Sequence, residues 1–247
     1  MATLREIELR LKSMKMIAST QLAKAQCAMA AGKQYGIANS EIFANSTSAT
    51  STDNRLFIVV SSDKGLCGGI HSSVTKATRH AFAGSAESPL LDAERRPVEV
   101  DAATPIMVVG DKAKSQLLRS FAGNLRMTFS QIGRDVPTFA DAAGVADLVV
   151  KSGVPYDSVV IISNKFVSVE VRGEAGLKKN EFSLANTIFA ALTEVHACEV
   201  NARGNAMDNA SKNAKDMITS LQMQYNRGRK AAITNELVDI ITGASVL

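Results

Sequence analysis

Tryptophan is absent from this chain and aromatic residues make up only 5% of it, so a large aromatic-lined ligand pocket is not expected. Cysteine is scarce as well. Cys27, Cys67 and Cys198 form an odd set without metal-ligand spacing, which argues against a disulfide framework or a zinc motif and fits free thiols in a reducing compartment. His71, His80 and His196 show no metal-like pairing, and no carboxylate constellation separates a general acid from a base. No apolar run approaches the ~20 residues of a membrane span, so any membrane association is expected to run through other subunits. The first residues lack both a secretory apolar core and an Arg/Ser-rich presequence, which suits a chain that is unprocessed or already mature. All five prolines, Pro89, Pro97, Pro105, Pro137 and Pro155, lie before residue 182.

The stretch from Phe182 to Thr242 therefore holds no helix breaker, and its apolar residues recur at three- and four-residue steps: Met207, Ala210, Ala214, Met217, Leu221, Tyr225, Gly228 and Ala232, ending on Leu237, Val238 and Ile241. One helix of about sixty residues would be roughly 90 Å long, whereas a compact chain of this size has a diameter near ~45 Å. Such a rod is expected to project, and its stripe needs a partner. The other end of the chain supplies one. Thr3-Leu4-Arg5-Glu6 reads as a capping box that would start a helix at Leu4, and Leu4, Ile7, Leu11, Met14, Ala18, Leu22, Ala25 and Met29 recur at heptad-like steps. The pattern fades through Gly32 and Gly36 into the Ser/Thr/Asn-rich loop from Asn45 to Asn54.

Between the helical ends the periodicity changes. Leu56–Val60, Ile106–Val109 and Val159–Ile162 are short continuous β-branched runs, as in strands buried on both faces of a parallel sheet. Leu125–Ile132 is a fourth strand and Val167–Arg172 an edge strand. Helical patterns at Ser72–Phe82, Lys112–Phe121 and Phe139–Ser152 alternate with them, which predicts βαβ units. The expected fold class is α/β: a long antiparallel coiled coil of N- and C-terminal helices with an inserted Rossmann-like domain. Its expected parts are the first long helix at 1–50, an α/β foot at 54–172 and the second long helix at 182–247.

Ser61-Ser62-Asp63-Lys64-Gly65-Leu66-Cys67-Gly68-Gly69 follows a strand and precedes a helix, the place where α/β proteins bind phosphates. It matches neither the Walker A nor the GxGxxG pattern. Cys67, with His71 four residues on, could serve a nucleophilic enzyme, but no third, orienting residue is identifiable. The plainer reading is a tight turn that lets the helix pack on the sheet. Charge is more informative. No acid occurs between Leu9 and Ser40, where Arg10, Lys12, Lys15, Lys24 and Lys33 lie, nor between Met217 and Asn235, where Arg227, Arg229 and Lys230 lie. If the helices run antiparallel, both clusters are expected to gather toward the far end of the rod, where they form either a solvated face or a basic tip for an acidic socket. The net charge of +4 falls short of a nucleic-acid signature; a basic coiled coil gripping nucleic acid would bind with steep salt dependence.

Ala2-Thr3-Leu4-Arg5-Glu6-Ile7 with Arg10-Leu11-Lys12-Ser13 and Met16-Ile17-Ala18-Ser19-Thr20, the glycine turn at 61–69, Arg203–Ala214, and Tyr225-Asn226-Arg227 through Ala232–Leu237 resemble, in order, four motifs of the gamma subunit of the F-type rotary ATP synthase. His71 resembles the mitochondrial branch. The resemblance implies a non-catalytic central stalk without a cofactor, a rotor shaft that couples proton-driven rotation of the membrane ring to conformational cycling of the catalytic subunits. It implies alpha and beta subunits around the coiled coil, small delta and epsilon subunits and the ring of c subunits at the foot, and a peripheral place on the matrix side of the mitochondrial inner membrane. Arg227, Arg229 and Lys230, and then Arg10, Lys12 and Lys15, are the residues expected to face catalytic-subunit loops. The alternative is a stand-alone α/β enzyme that uses Cys67 and the glycine turn. The chain departs from the family pattern in lacking a further helical stretch after Lys15, a longer hairpin at Val167–Val169 and an acidic insertion between Lys178 and Glu181. Lys230 also stands where a Gln is usual.

Overall fold

The computed structural model of the chain describes residues 2–44, 54–83, 104–133, 135–166, 169–175 and 181–244. In chain order these form α1 (Ala2–Ala44), β1 (Arg55–Val60), α2 (Ile70–Ala83), β2 (Ile106–Val109), α3 (Asp111–Phe121), β3 (Leu125–Phe129), α4 (Phe139–Lys151), β4 (Ser158–Asn164), β5 (Val169–Ala175) and α5 (Glu181–Ala244). The chain divides into two compact units, residues 18–203 and residues 1–17 with 204–247.

In the first of these units the strands form one sheet in the order β3-β2-β1-β4-β5. β1 pairs in parallel with β2 and β4, β2 with β3, and only the edge strand β5 runs antiparallel. The continuous apolar runs have the cause expected from the sequence, since successive side chains point to opposite faces and both faces are covered. Leu56, Ile58 and Val60 pack with α4 and α5, whereas Phe57 and Val59 pack with α2 and α3. Each such fully buried side chain contributes about 1.5–3 kcal/mol relative to exposure.

The long helices depart from expectation at both ends of α1. Thr3 lies inside α1, and Glu6 pairs with Arg10 instead of closing a capping box. A capping box is instead formed at α4: Thr138 Oγ1 accepts from the Asp141 amide, while the Asp141 carboxylate accepts from the Thr138 amide. Nor do Gly32 and Gly36 end the helix, which runs on to Ala44. Both are buried. A Cβ on Gly32 would stand 2.3 Å from Thr193 Oγ1 and 3.2 Å from Thr193 Cβ, so glycine here lets α1 approach α5. In this unit Ala25 packs with Ala197 and Val200, and since Gly32 meets the earlier residue Thr193, the two helices run antiparallel. The expected loop at 45–54 and connection at 84–103 lie, but for Asn54, outside the described residues.

Within the unit formed by residues 1–17 and 204–247, the inward positions differ from the apolar pattern. Leu4, Glu8 and Leu11 are half-buried, while Ile7 and Met14 are exposed. The reason is phase. Leu22 and Met29 set the second position of the heptad, and projecting it back along one unbroken helix gives Lys15 and Glu8, not Met14 and Ile7. On α5, Met207, Ser211 and Ile218 are buried and Met217 is 55% exposed, a stripe set by the same seven-residue step.

Candidate functional site

β1 ends at Val60 and the chain turns through 61–69 into α2. Leu66 (φ 62°) and Gly68 (φ 65°) adopt left-handed backbone, and this folds the turn tightly enough to bury Cys67 against His71 in the first turn of α2. Cys67 Sγ lies 2.9 Å from His71 Nε2, His71 Nδ1 lies 2.8 Å from Ser61 Oγ, and the Lys64 carbonyl lies 3.1 Å from Nε2 and 3.6 Å from Sγ. One assignment of protons satisfies every group. The Ser61 hydroxyl donates to Nδ1, and Nε2–H and the Cys67 thiol both point to the Lys64 carbonyl. Ser61 is thus the third residue missing from the sequence reading, and its contact with Nδ1 orients the ring toward the thiol. Burial, and then the Glu199 carboxylate, push the Cys67 thiol up from its ordinary value, and burial holds the His71 imidazole down. Burial thus favours the neutral form of both groups, and the contacts of Ser61, Cys67 and the Lys64 carbonyl with the His71 ring make the arrangement a structural lock between β1 and α2.

Beside it, a crevice of about 280 Å³ opens at the carboxyl ends of β1, β2 and β3, lined among others by Ser62, Asp63, Gly110, Gln131, His196 and Glu199. The place where a nucleotide phosphate would sit is filled from within. Asp63 Oδ1 accepts from the Asp111 amide that opens α3 at 2.8 Å, and Oδ2 accepts from the Gln131 amide after β3 at 2.6 Å. Burial lowers the His196 pKa, so the imidazole in the crevice is neutral at pH 7. Glu199 is engaged by Arg203 on the next turn of α5, and Arg203 Nε points to the Gly65 carbonyl at 3.5 Å. Asp63 was legible only as part of a phosphate-loop-like turn, and its role as a cap across two elements depends on contacts 48 and 68 residues away. His80 is exposed. Among the described residues no three His, Cys, Asp or Glu side chains converge as a metal site.

The six basic candidates on the long helices fall into two separate groups. Arg10 pairs with Glu6, Lys12 with Glu8 and Lys15 with Asp208 at 2.5 Å. Lys15 and Lys212, both bonded to Asp208, hold its carboxyl at about 2. Arg227, Arg229 and Lys230 lie in a stretch, 219–242, that is exposed throughout. The expected gathering of both clusters does not occur. Asp208, the partner of Lys15, precedes Arg227 by nineteen residues, about 28 Å of helix.

Comparison with known proteins gives a consistent result. A family model described as ATP synthase matches residues 1–175 and 177–247. The mitochondrial ATP synthase gamma subunit of Yarrowia lipolytica is 44% identical over 283 positions covering 100% of this chain and 92% of that protein. The mitochondrial gamma subunit of Rattus norvegicus is 34% identical with full coverage of both. The chain fills 247 of the 283 positions in the first alignment, so 36 residues of the Yarrowia protein have no counterpart here. Among solved structures, the Euglena gracilis mitochondrial ATP synthase OSCP/F1/c-ring contains a chain with TM-score 0.64 at 15% identity, covering 99% of this chain and 94% of its own length. A chain of the Tetrahymena thermophila central stalk/c-ring gives 0.59 at 24% identity, covering 81% and 99%. Both are likenesses of fold.

Proposed function

The chain belongs to the mitochondrial ATP synthase gamma-subunit family, and from that premise we propose how its two long helices and its sheet divide the work of a rotor. It is the central rotor shaft of ATP synthase, coupling rotation driven by proton flow to conformational cycling of the catalytic subunits. The helices act as an antiparallel coiled coil, drawn from 1–50 and 182–247, and the Rossmann-like α/β domain, 54–172, acts as the foot. The chain itself is non-catalytic and needs no cofactor. Its partners are the alpha and beta subunits around the helices, and the delta, epsilon and c-ring subunits at the foot. It sits peripherally on the matrix side of the mitochondrial inner membrane; among the described residues no helix is long and apolar enough to cross a membrane.

The observation that carries this reading is the far part of α5. Leu221, Met223, Tyr225, Ile233, Leu237, Val238, Ile240 and Ile241 are all exposed there, interleaved with Arg227, Arg229 and Lys230. Exposed apolar side chains spread around the helix over this length, with a basic collar, fit a surrounding socket. A shaft shifts a catalytic subunit between states only as far as its contact energies with those states differ, and a helix with different side chains around its circumference offers a different contact to each neighbour. The neutral Cys67–His71 pair and the filled phosphate position leave the enzyme alternative without a site. The direct test is the triple variant Arg227→Ala, Arg229→Ala, Lys230→Ala in the assembled complex. Slowed ATP turnover or uncoupled rotation is expected, with Arg10→Ala and Lys12→Ala weaker. Normal rate and torque in the triple variant would sink the assignment of these residues.

A further inference from the structure

In open α/β sheets, phosphate groups dock outside the carboxyl ends of the strands, on the amides at a helix N-terminus. At that place in this chain sits a side chain of the protein itself. We propose that Asp63 is the resident anion of a phosphate-type seat, a positioning residue that ties β1, α3 and the end of β3 together, and that its removal opens the seat to small oxyanions such as formate or inorganic phosphate.

Four observations support the assignment. The two donors, the Asp111 and Gln131 amides, come from separate elements and meet the two oxygens of one carboxylate, the bidentate geometry with which an oxyanion is gripped. The turn that presents the first amide is pressed onto the Asp63 loop: Gly110 has φ 101°, and a Cβ there would lie 2.8–2.9 Å from Ser61 C, Ser61 O and Ser62 N. The Ser62 hydroxyl is buried in the crevice lining without a hydrogen-bond partner; it is an unused donor for an incoming oxyanion, and a buried hydroxyl left unmatched is costly. The fourth is a nearby cation. Lys112 Nζ lies 3.8 Å from where a Cβ on Gly65 would be, over the same loop. Asp111 and Glu199 also line the crevice, and these carboxylates beside Asp63 disfavour a second anion. The native seat is therefore closed to phosphates, and a tether that is part of the chain cannot dissociate, which suits a foot that must transmit torque.

The experiment uses the full chain, its Asp63→Ala variant and amide NMR, with formate, inorganic phosphate and chloride at matched ionic strength. The variant is expected to melt about 5–10 °C lower for the loss of two charge-assisted backbone hydrogen bonds. Formate or phosphate should restore part of this and shift the Asp111 and Gln131 amide signals saturably, while chloride does neither and the native chain does not respond. An equal response from the native chain, equal restoration by chloride, or no response of the variant would each overturn the proposal. Should the Ala variant stay unfolded in formate, Asp63→Asn decides. It places an NH2 donor where one of the two carboxylate oxygens accepted, so one of the two amides is expected to lose protection from hydrogen exchange, and full protection of both would refute the tie.

Discussion

At the scale of single residues, the chain shows how a motif with the composition of a reactive site can be locked into inertness. Cys67 and His71 were visible in the sequence as a pair four residues apart, but the ring is oriented by Ser61 and the Lys64 carbonyl, which only folding brings to it. The same is true of Asp63, whose two donors lie on distant elements. Burial pushes the Cys67 thiol up, and burial followed by Glu194 pushes Cys198 up to about 12, whereas Cys27 is exposed. Only thiolates react. At pH 8 the native chain should therefore release one equivalent from a thiol-exchange reagent, from Cys27, and three after denaturation. In the assembled complex Cys67→Ala should keep ATPase activity within about twofold, an effect below 0.5 kcal/mol on the barrier. Fast labelling of Cys67 in the native chain would contradict the lock and reopen the nucleophile.

At the scale of elements, β1, β2 and β4 were legible because burial on both faces leaves a compositional mark that needs no knowledge of the partner, and they fall where the β-branched runs lie; β3, Leu125–Phe129, is half-buried and lacks such a run. The inward face of α1 was less legible. In its first residues the apolar side chains stand at Ile7 and Met14, whereas the phase of Leu22 and Met29 continues through Lys15 and Glu8, and only the packing of the whole helix selects between the two. Glycine was misread for a similar reason. An isolated glycine in a helical pattern signals a break unless a neighbouring helix needs the space, and Gly32 is the second case. Gly32→Ala should lower the melting temperature by about 2–4 °C, because overpacking at Thr193, about 1–3 kcal/mol, outweighs the ~1 kcal/mol gain in helix propensity. Thr193→Ala in the same chain should recover most of the loss. Gly144, inside α4 with nothing within 4 Å of an added Cβ, is the control, and Gly144→Ala should raise the melting temperature. A rise for Gly32→Ala as well would mean that the helices are not in close contact there.

At the scale of the whole molecule, charge bears most on assembly. The chain carries a net charge of +4, a value that by itself says little. Pairing redistributes it. Arg10, Lys12 and Lys15 each have an acidic partner, whereas Arg227, Arg229 and Lys230 sit together in the acid-free, exposed run between Met217 and Asn235. Uncompensated positive potential is thus expected at one place along α5, a distinction the sequence could not supply because Asp208 lies far from Lys15 in the chain. A local patch of this kind acts on encounter rates more than on final affinity, and its reach falls from about 10 Å at 0.1 M salt to about 3 Å at 1 M. Reconstitution of the ATP synthase catalytic complex from separated subunits, followed by recovered ATPase activity, should therefore slow as salt rises. The Arg227/Arg229/Lys230 triple alanine variant should assemble more slowly at low salt and lose most of that salt dependence. Arg10→Ala with Lys12→Ala should keep the native slope, since each removes a cation already neutralised on its own helix. Equal salt slopes for native chain and triple variant would show that the socket does not read this charge, leaving the exposed apolar side chains from Leu221 to Ile241 to guide insertion alone.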